Sequence, residues 1–319
     1  MPNSRADAGS MPVSPALVRP QHGPAFRRAL RLLTAALPLV FILGGCADMG
    51  ARKDPSPASD NLQLLEQIAG RMPGDYTSAG SHGSPGQLLS IQHQTGAGST
   101  TLELLITQYS PGDEHRRRFV LSLMPAEIAD RLDGSLALLD AENRPRRSCR
   151  MKFHATSQSL VGETSPEECL FGQGAEQVGL LKEISFDGDR IDIGDRLINA
   201  QTGQAQTPDQ VITFLPALHY SGWAGERDGS SWRVAREFTL VPGHAGVQLR
   251  DAAGMALGKT ARLAYYRLDN NSDTDLLRLT ITDTDSGEQI AEAWAEPGSN
   301  SIGLSLPEFQ IGLTSKDGR

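Results

Sequence analysis

The sequence predicts an all-β protein with one leading helix and two β domains in series. Apolar and polar residues alternate in many short runs separated by Gly, Pro and Asp turn signals, the pattern of half-buried strands. A single segment, 61–72, carries helical periodicity. The length of 319 residues, with 39% hydrophobic and 21% charged residues, suits a globular chain with room for two domains.

The chain opens with an export pattern. Arg27 and Arg28 precede a moderate apolar run that ends Leu43-Gly44-Gly45-Cys46, which resembles a bacterial lipobox. The resemblance implies that 1–45 is a lipoprotein signal peptide and that Cys46 is acylated as the first mature residue. Ala47 after it fits sorting to the outer membrane, placing the protein in the bacterial cell envelope, anchored on the periplasmic face. The other reading is a plain signal peptide or short anchor in which Cys46 is incidental. No further long apolar run exists, so a polytopic membrane protein is excluded. The formal charge is −8, and losing the five Arg and one Asp of 1–45 leaves −12. An acidic chain is a poor nucleic-acid binder, so no nucleic-acid partner is expected.

Residues 46–60 are small, charged and Pro-containing, and read as a tether. In the helix, Ser59 or Asp60 can cap the start, Leu62, Leu65, Ile68, Ala69 and Met72 share a face, and Pro73-Gly74 stops it. Residues 77–100 read as loop with at most one short strand. Strands follow at 101–109 and 118–124, joined by Ser110-Pro111-Gly112-Asp113, then at 135–139 and 150–154. Residues 162–174 read as loop. Strands at 180–186 and 190–193 flank Asp187-Gly188-Asp189, a hairpin signal. The pattern pauses near Thr202-Gly203, which puts the boundary between the domains 61–207 and 208–319. Strands in the second are expected at 211–215, 232–240, 247–250, 261–268, 276–283, 289–295 and 301–306.

Several kinds of chemistry are missing. There is no GxSxG elbow, no GxGxxG after a strand and no P-loop, and the seven His (22, 82, 93, 115, 154, 219, 244) have no metal-ligating spacing. Cys149 and Cys169 remain after Cys46; in an exported protein two cysteines most simply form one disulfide, the alternative being two free thiols. One segment, Glu114-His115-Arg116-Arg117-Arg118-Phe119, stands out. On a strand, Arg116 and Arg118 share a face and Arg117 takes the other. Two guanidiniums on the inner side of a barrel make a carboxylate-binding pair, whereas on an edge strand they are solvated charges.

The order of features in 62–203 resembles that of the CpcT/CpeT-type chromophore (phycobilin) lyases. A leading helix precedes Gly74-Asp75-Tyr76-Thr77-Ser78. A strand ending near Gln108 precedes His115-Arg116-Arg117-Arg118. Cys149, then Gly162-Glu163-Thr164, then Cys169 follow, with Glu183 and Asp195-Arg196 before Gly203. His115 stands where the family has Tyr, Thr107 where an acid is expected beside Gln108, and the closing aromatic pattern after Gly203 is missing. The resemblance implies a calycin- or lipocalin-like antiparallel barrel. It implies an enzyme that holds an open-chain tetrapyrrole, a bilin, and joins it by a thioether to a Cys of an acceptor protein, with no other cofactor. Arg116, Arg118, His115 and Tyr76 would bind the ligand, Asp195 would be the catalytic acid, and Cys149 and Cys169 would be structural. The alternatives are a non-enzymatic envelope carrier of a small amphipathic acid and a structural lipoprotein whose barrel is filled by side chains.

All three Trp lie in the second domain: Trp223, in Tyr220-Ser221-Gly222-Trp223-Ala224-Gly225, then Trp232 and Trp294. Such aromatics beside Gly make either a ligand platform, for sugars as an example, or ordinary β-core.

Overall fold

The computed structural model of the chain describes residues 57–81, 86–94, 100–112, 116–188, 190–268 and 274–316. The expected signal peptide 1–45, Cys46, residues 47–56 of the expected tether and His115 lie outside the described residues. Lys53–Arg319 forms one compact unit.

Helix α1 (Pro57–Arg71) begins within the segment expected to be tether. Asp60 lies in the first turn, where it complements the helix dipole. Leu65, Ile68 and Met72 are buried as expected, but the inward face takes Asn61 and leaves Leu62 partly exposed. Asn61 Nδ2 donates to the carbonyls of Ala126 (2.8 Å) and Ile128 (2.7 Å).

The helix closes one end of a ten-stranded antiparallel β-barrel. Its strands are β1 (Gly74–Ser78), β2 (Leu88–His93), β3 (Leu102–Tyr109), β4 (Arg117–Pro125), β5 (Arg131–Leu139), β6 (Pro145–Ala155), β7 (Leu160–Thr164), β9 (Val178–Phe186), β10 (Ile191–Asn199) and β11 (Gln210–Pro216), with a two-residue strand β8 (Leu170–Phe171) appended to β9. The wall runs by neighbours from β2 to β7, then β9, β10, β11 and β1, and the β1–β11 pairing (Tyr76 opposite Pro216) makes the seam. Strand β11 therefore belongs to the barrel and carries it past the expected boundary at 207/208. Its Phe214 is fully buried in the barrel core.

Alternation fixes the two faces of the wall. In β3, Leu102, Leu104 and Ile106 point in, and in β4, Phe119, Leu121 and Leu123 do. With Leu132, Met151, Phe153, Ile184, Phe186 and Ile193, and with Leu65, Ile68 and Met72 from the helix, they form one packed core inside the barrel. Residues 162–174 were expected to be loop, yet β7 covers 160–164. Its inward positions are Leu160, Gly162 and Thr164, so the apolar alternation is faint. A Cβ on Gly162 would sit 2.1 Å from Phe153 Cδ1, and one on Gly134 2.7 Å from Phe153 Cε2. The Phe153 ring thus lies across two glycines, and its bulk stands in for side chains they lack.

The second part is a sandwich of two four-stranded antiparallel sheets. One runs β13 (Ser231–Leu240), β12 (Tyr220–Asp228), β19 (Phe309–Ser315), β18 (Ser301–Ser305). The other runs β14 (Val247–Arg250), β15 (Ala256–Arg267), β16 (Asp275–Asp283), β17 (Gln289–Ala295). Tyr220, Ala224, Phe309, Ile311 and Leu313 from the first meet Leu249, Leu263, Tyr265, Leu277 and Leu279 from the second in a shared core. Strands β12 and β19 were not expected from the sequence. After β1 the chain peels away from the barrel, and Gly80 bonds to both sides of Tyr266 (Gly80 N to Tyr265 O, Arg267 N to Gly80 O, each 2.9 Å). Tyr265 also donates its hydroxyl to Pro216 O at 3.0 Å. No helix among the described residues is long and apolar enough to cross a membrane.

Candidate functional site

The arginine pair lies on the outer wall of the barrel. Phe119 must face the core, and the period of two then turns Arg118 and Arg116 outward and Arg117 inward. The expectation that Arg116 and Arg118 line the barrel interior is therefore corrected. They stand at one end of an open groove of about 520 Å³ over β3, β4 and β5, with Leu105, Val120, Ala137 and Leu139 along its floor. Glu103 and Ser122 lie toward the opposite end. Arg116 lies over the Tyr109 ring, 4.8 Å from its centroid. Arg118 donates to Asn143 Oδ1. Neither guanidinium is paired with a carboxylate among the described residues.

The turn between β5 and β6 positions Asn143. Asp140 Oδ1 accepts from the backbone N–H of Arg144 (2.8 Å) and of Glu142 (3.0 Å), and Arg144 Nε donates to Oδ2 at 3.1 Å. The Arg144 N–H, with that guanidinium, holds the Asp140 carboxyl below its ordinary pKa against an opposing effect of burial. Asn143 itself is left-handed at φ 63°, a conformation Asn tolerates, and this aims its amide at Arg118.

The other predicted residues go elsewhere. Tyr76 is buried at the helix end, where its hydroxyl donates to Met72 O at 2.8 Å; it ties barrel to helix and is absent from the groove. Asp195 faces the interior at the end opposite the helix. Its Oδ1 accepts from Lys182 Nζ at 2.6 Å, and Arg117 lies 3.7 Å from Oδ2. Lys182 is buried and also sits 4.9 Å from the centroid of the Phe119 ring. Burial lowers its pKa; the Asp195 carboxylate opposes that shift and the Arg117 charge adds to it. The carboxylate serves as counter-ion to a buried ammonium, and no ligand-sized space adjoins it among the grooves described.

Cys149 and Cys169 are buried side by side with Cα atoms 5.1 Å apart, inside the spacing that a disulfide takes. They pack with Leu180, Phe171 and Leu197 where residues 165–177 turn back into the barrel end. A second groove, of about 580 Å³, lies over β6, β7, β9 and β10 and is lined by Glu163, Glu183 and Asp192 with Val161 and Val211. The aromatics of the second part separate. Tyr220 is core, Trp294 meets Tyr266 edge-on at 5.6 Å with Arg278 over both rings, and Trp223 and Trp232 are exposed on the other sheet.

Sequence reasoning missed Lys182, and it turned Arg117 away from the pair without giving it the Asp195 contact. The signal was present: Lys182 interrupts Leu180, Ile184 and Phe186 at an inward position, where a charge requires a partner.

No protein-family model and no curated protein matches the chain. The motifs behind the resemblance to chromophore lyases have local structural roles here. Gly162 makes room for Phe153. Thr164 Oγ1 donates to Leu180 O (2.6 Å) and accepts from Lys182 N (2.8 Å), stitching β7 to β9. Gln108 donates to Gln87 Oε1 at 2.6 Å.

Proposed function

We propose that the protein is an exported, lipid-anchored envelope protein that binds an elongated amphipathic acid, a tetrapyrrole or a molecule like it, on the outer wall of its barrel. One observation carries this reading: two neighbouring guanidiniums without a carboxylate partner among the described residues head a groove with an apolar floor. From Arg116 to Ser122 the groove follows the strand for about 20 Å at ~3.3 Å per residue. That length suits a ligand with its acid at one end and its apolar body along Leu105, Val120 and Ala137. Paired guanidiniums favour planar carboxylates, such as the propionates of a bilin.

The reading is one of binding, not of bilin attachment. The acid that the resemblance offers for proton transfer, Asp195, is engaged by Lys182 and Arg117. The barrel interior is filled by side chains. Lipid anchoring rests on Leu43-Gly44-Gly45-Cys46.

The test is a titration of the full chain with biliverdin and with a fatty acid, followed by absorbance and intrinsic fluorescence. Saturable binding is expected, weakened at least about tenfold in the Arg116→Ala/Arg118→Ala double variant, since each charged hydrogen bond is worth about 1.5–3 kcal/mol. Because both side chains face outward, the double variant should keep its thermal midpoint. Failure of both ligands to bind, or binding unchanged in the double variant, would sink the proposal.

A further inference from the structure

Trp223 lies on the outer face of the β13–β12–β19–β18 sheet, with 44% of its surface exposed, and Trp232 on the same face with 43%. Exposure of this size removes both from the core and calls for an explanation, since two such indoles side by side form an apolar patch that water wets poorly. Their posture is set by glycines. A Cβ on Gly312 would lie 3.1 Å from Trp223 Nε1, and a Cβ on Gly225 would lie 3.8 Å from Trp223 Cζ3 and 3.2 Å from Trp232 Cε3. Trp223 thus reclines along the sheet from Gly312 toward Gly225, and Trp232 meets it over Gly225. Any side chain at either glycine would lift the ring on which it lies.

On the β18–β19 side the ground around the indoles is uncharged and hydroxylic; on the β12–β13 side Arg236 stands opposite Trp223 and Arg227 opposite Trp232, two cationic donors at the edge of the platform. In register, Trp223 faces Gly312, which faces Gly303; one rung to either side Ser301 pairs with Thr314 and Ser305 with Gln310. These outward positions of β18 and β19 carry hydroxyls, an amide or no side chain. No aliphatic residue extends the patch on these two strands; Val234, opposite Gly225, is the one that adjoins it on β13. These two strands present no charge, and the charges in register with the indoles are Arg227 and Arg236, which can donate to sugar hydroxyls.

We infer that this face is a binding platform for a glycan chain, with pyranose rings stacked on Trp223 and Trp232 and hydroxyls bonded to the flanking Ser, Thr and Gln side chains. An indole face offers a flat apolar area to the C–H face of a sugar ring while its N–H remains a donor. The glycine floor keeps that face level with the sheet, so an extended chain can lie across it. Two indoles meeting over one glycine fit at least two successive rings. The inference is independent of the groove on the barrel.

The probes are chitotetraose, cellotetraose and maltotetraose, titrated against the full chain by intrinsic fluorescence and calorimetry. At least one is expected to bind saturably and to change indole emission. Trp223→Ala and Trp232→Ala should each weaken it at least about tenfold, equivalent to ~1.4 kcal/mol. Trp294→Ala, on the other sheet, and Arg116→Ala/Arg118→Ala should leave the affinity unchanged. Trp223→Phe should keep part of it. Unchanged thermal midpoints in these exposed-site variants separate lost binding from lost folding. Absence of binding to all three sugars at 10 mM, roughly the −2.7 kcal/mol limit for weak recognition, would overturn the inference. So would binding that survives the double Trp variant, or uptake by phosphatidylglycerol vesicles through the same two residues without any response to sugar.

Discussion

Gly162 shows how a residue without a side chain can organise a wall. Its hydrogen atoms leave the space that the Phe153 ring fills, with Gly134 doing the same on the other flank. Gly162→Ala should destabilise the protein by about 1–3 kcal/mol, the usual result of overpacking, as measured by urea unfolding. A stability equal to the parent would show that the ring moves aside freely. Lys182 is the second decisive residue. Burial lowers its pKa in the folded state below the ordinary lysine value. Between the lowered and the ordinary value the unfolded chain binds one proton more than the folded one, so unfolding free energy rises with pH across that window and is level below it. In Lys182→Met the rise should vanish. Urea titrations of both proteins from pH 7 to about pH 11, where free lysine ionises, should therefore diverge as pH increases. Parallel curves would mean that Lys182 is as readily protonated inside the barrel as in the unfolded chain. Asp195 and Arg117 are the charged groups that face it, and both belong in the comparison.

At the scale of elements, the segment 165–177 would be a loose return between β7 and β9 without the Cys149–Cys169 contact, which holds it against β6. The two cysteines are predicted to be bonded in the native protein. Non-reducing mass spectrometry should show the link across 20 residues, and the Cys149→Ala/Cys169→Ala variant should lose about 3 kcal/mol. Free thiols in the purified native protein would remove this claim. The strands that sequence patterns revealed best are those with a full apolar row, such as β3 with Leu102, Leu104 and Ile106, and the β9–β10 hairpin with its Asp187-Gly188 turn. Strand β7 was invisible because its core positions include Gly162 and Thr164. Strand β12 was hidden because Ser221, Gly222 and Gly225 dilute its pattern. The arginine pair was legible as a pair from spacing alone. Its direction was not, because parity requires knowing which neighbour is core, and the packed Phe119 decides it.

For the molecule as a whole, the boundary between barrel and sandwich could not be read from composition. Strand β11 follows a Gly- and Pro-containing pause, as a new domain would, yet its register with β10 and β1 makes it part of the first. The all-β class, the leading helix and the presence of two β parts were legible because they depend on periodicity summed over many residues. The outer groove was not, because it arises from the curvature of three strands. Two rather different surfaces result, a cationic apolar groove on the barrel and a hydroxyl-flanked indole floor on the sandwich, within one compact unit.

The seam between β1 and β11 has a consequence in time. The first of the described strands, β1, pairs with β2 soon after it, but its other edge must wait for β11, at the far end of the barrel sequence. Gly80, just beyond it, waits longer still for β15. Contacts between segments so distant along the chain make closure slow, since loop entropy is lost before the pairing compensates. Until then β1 presents an open edge and an uncovered core to any neighbouring chain. The barrel is thus finished from its middle outward, and during synthesis that edge stays open until the sandwich begins to arrive.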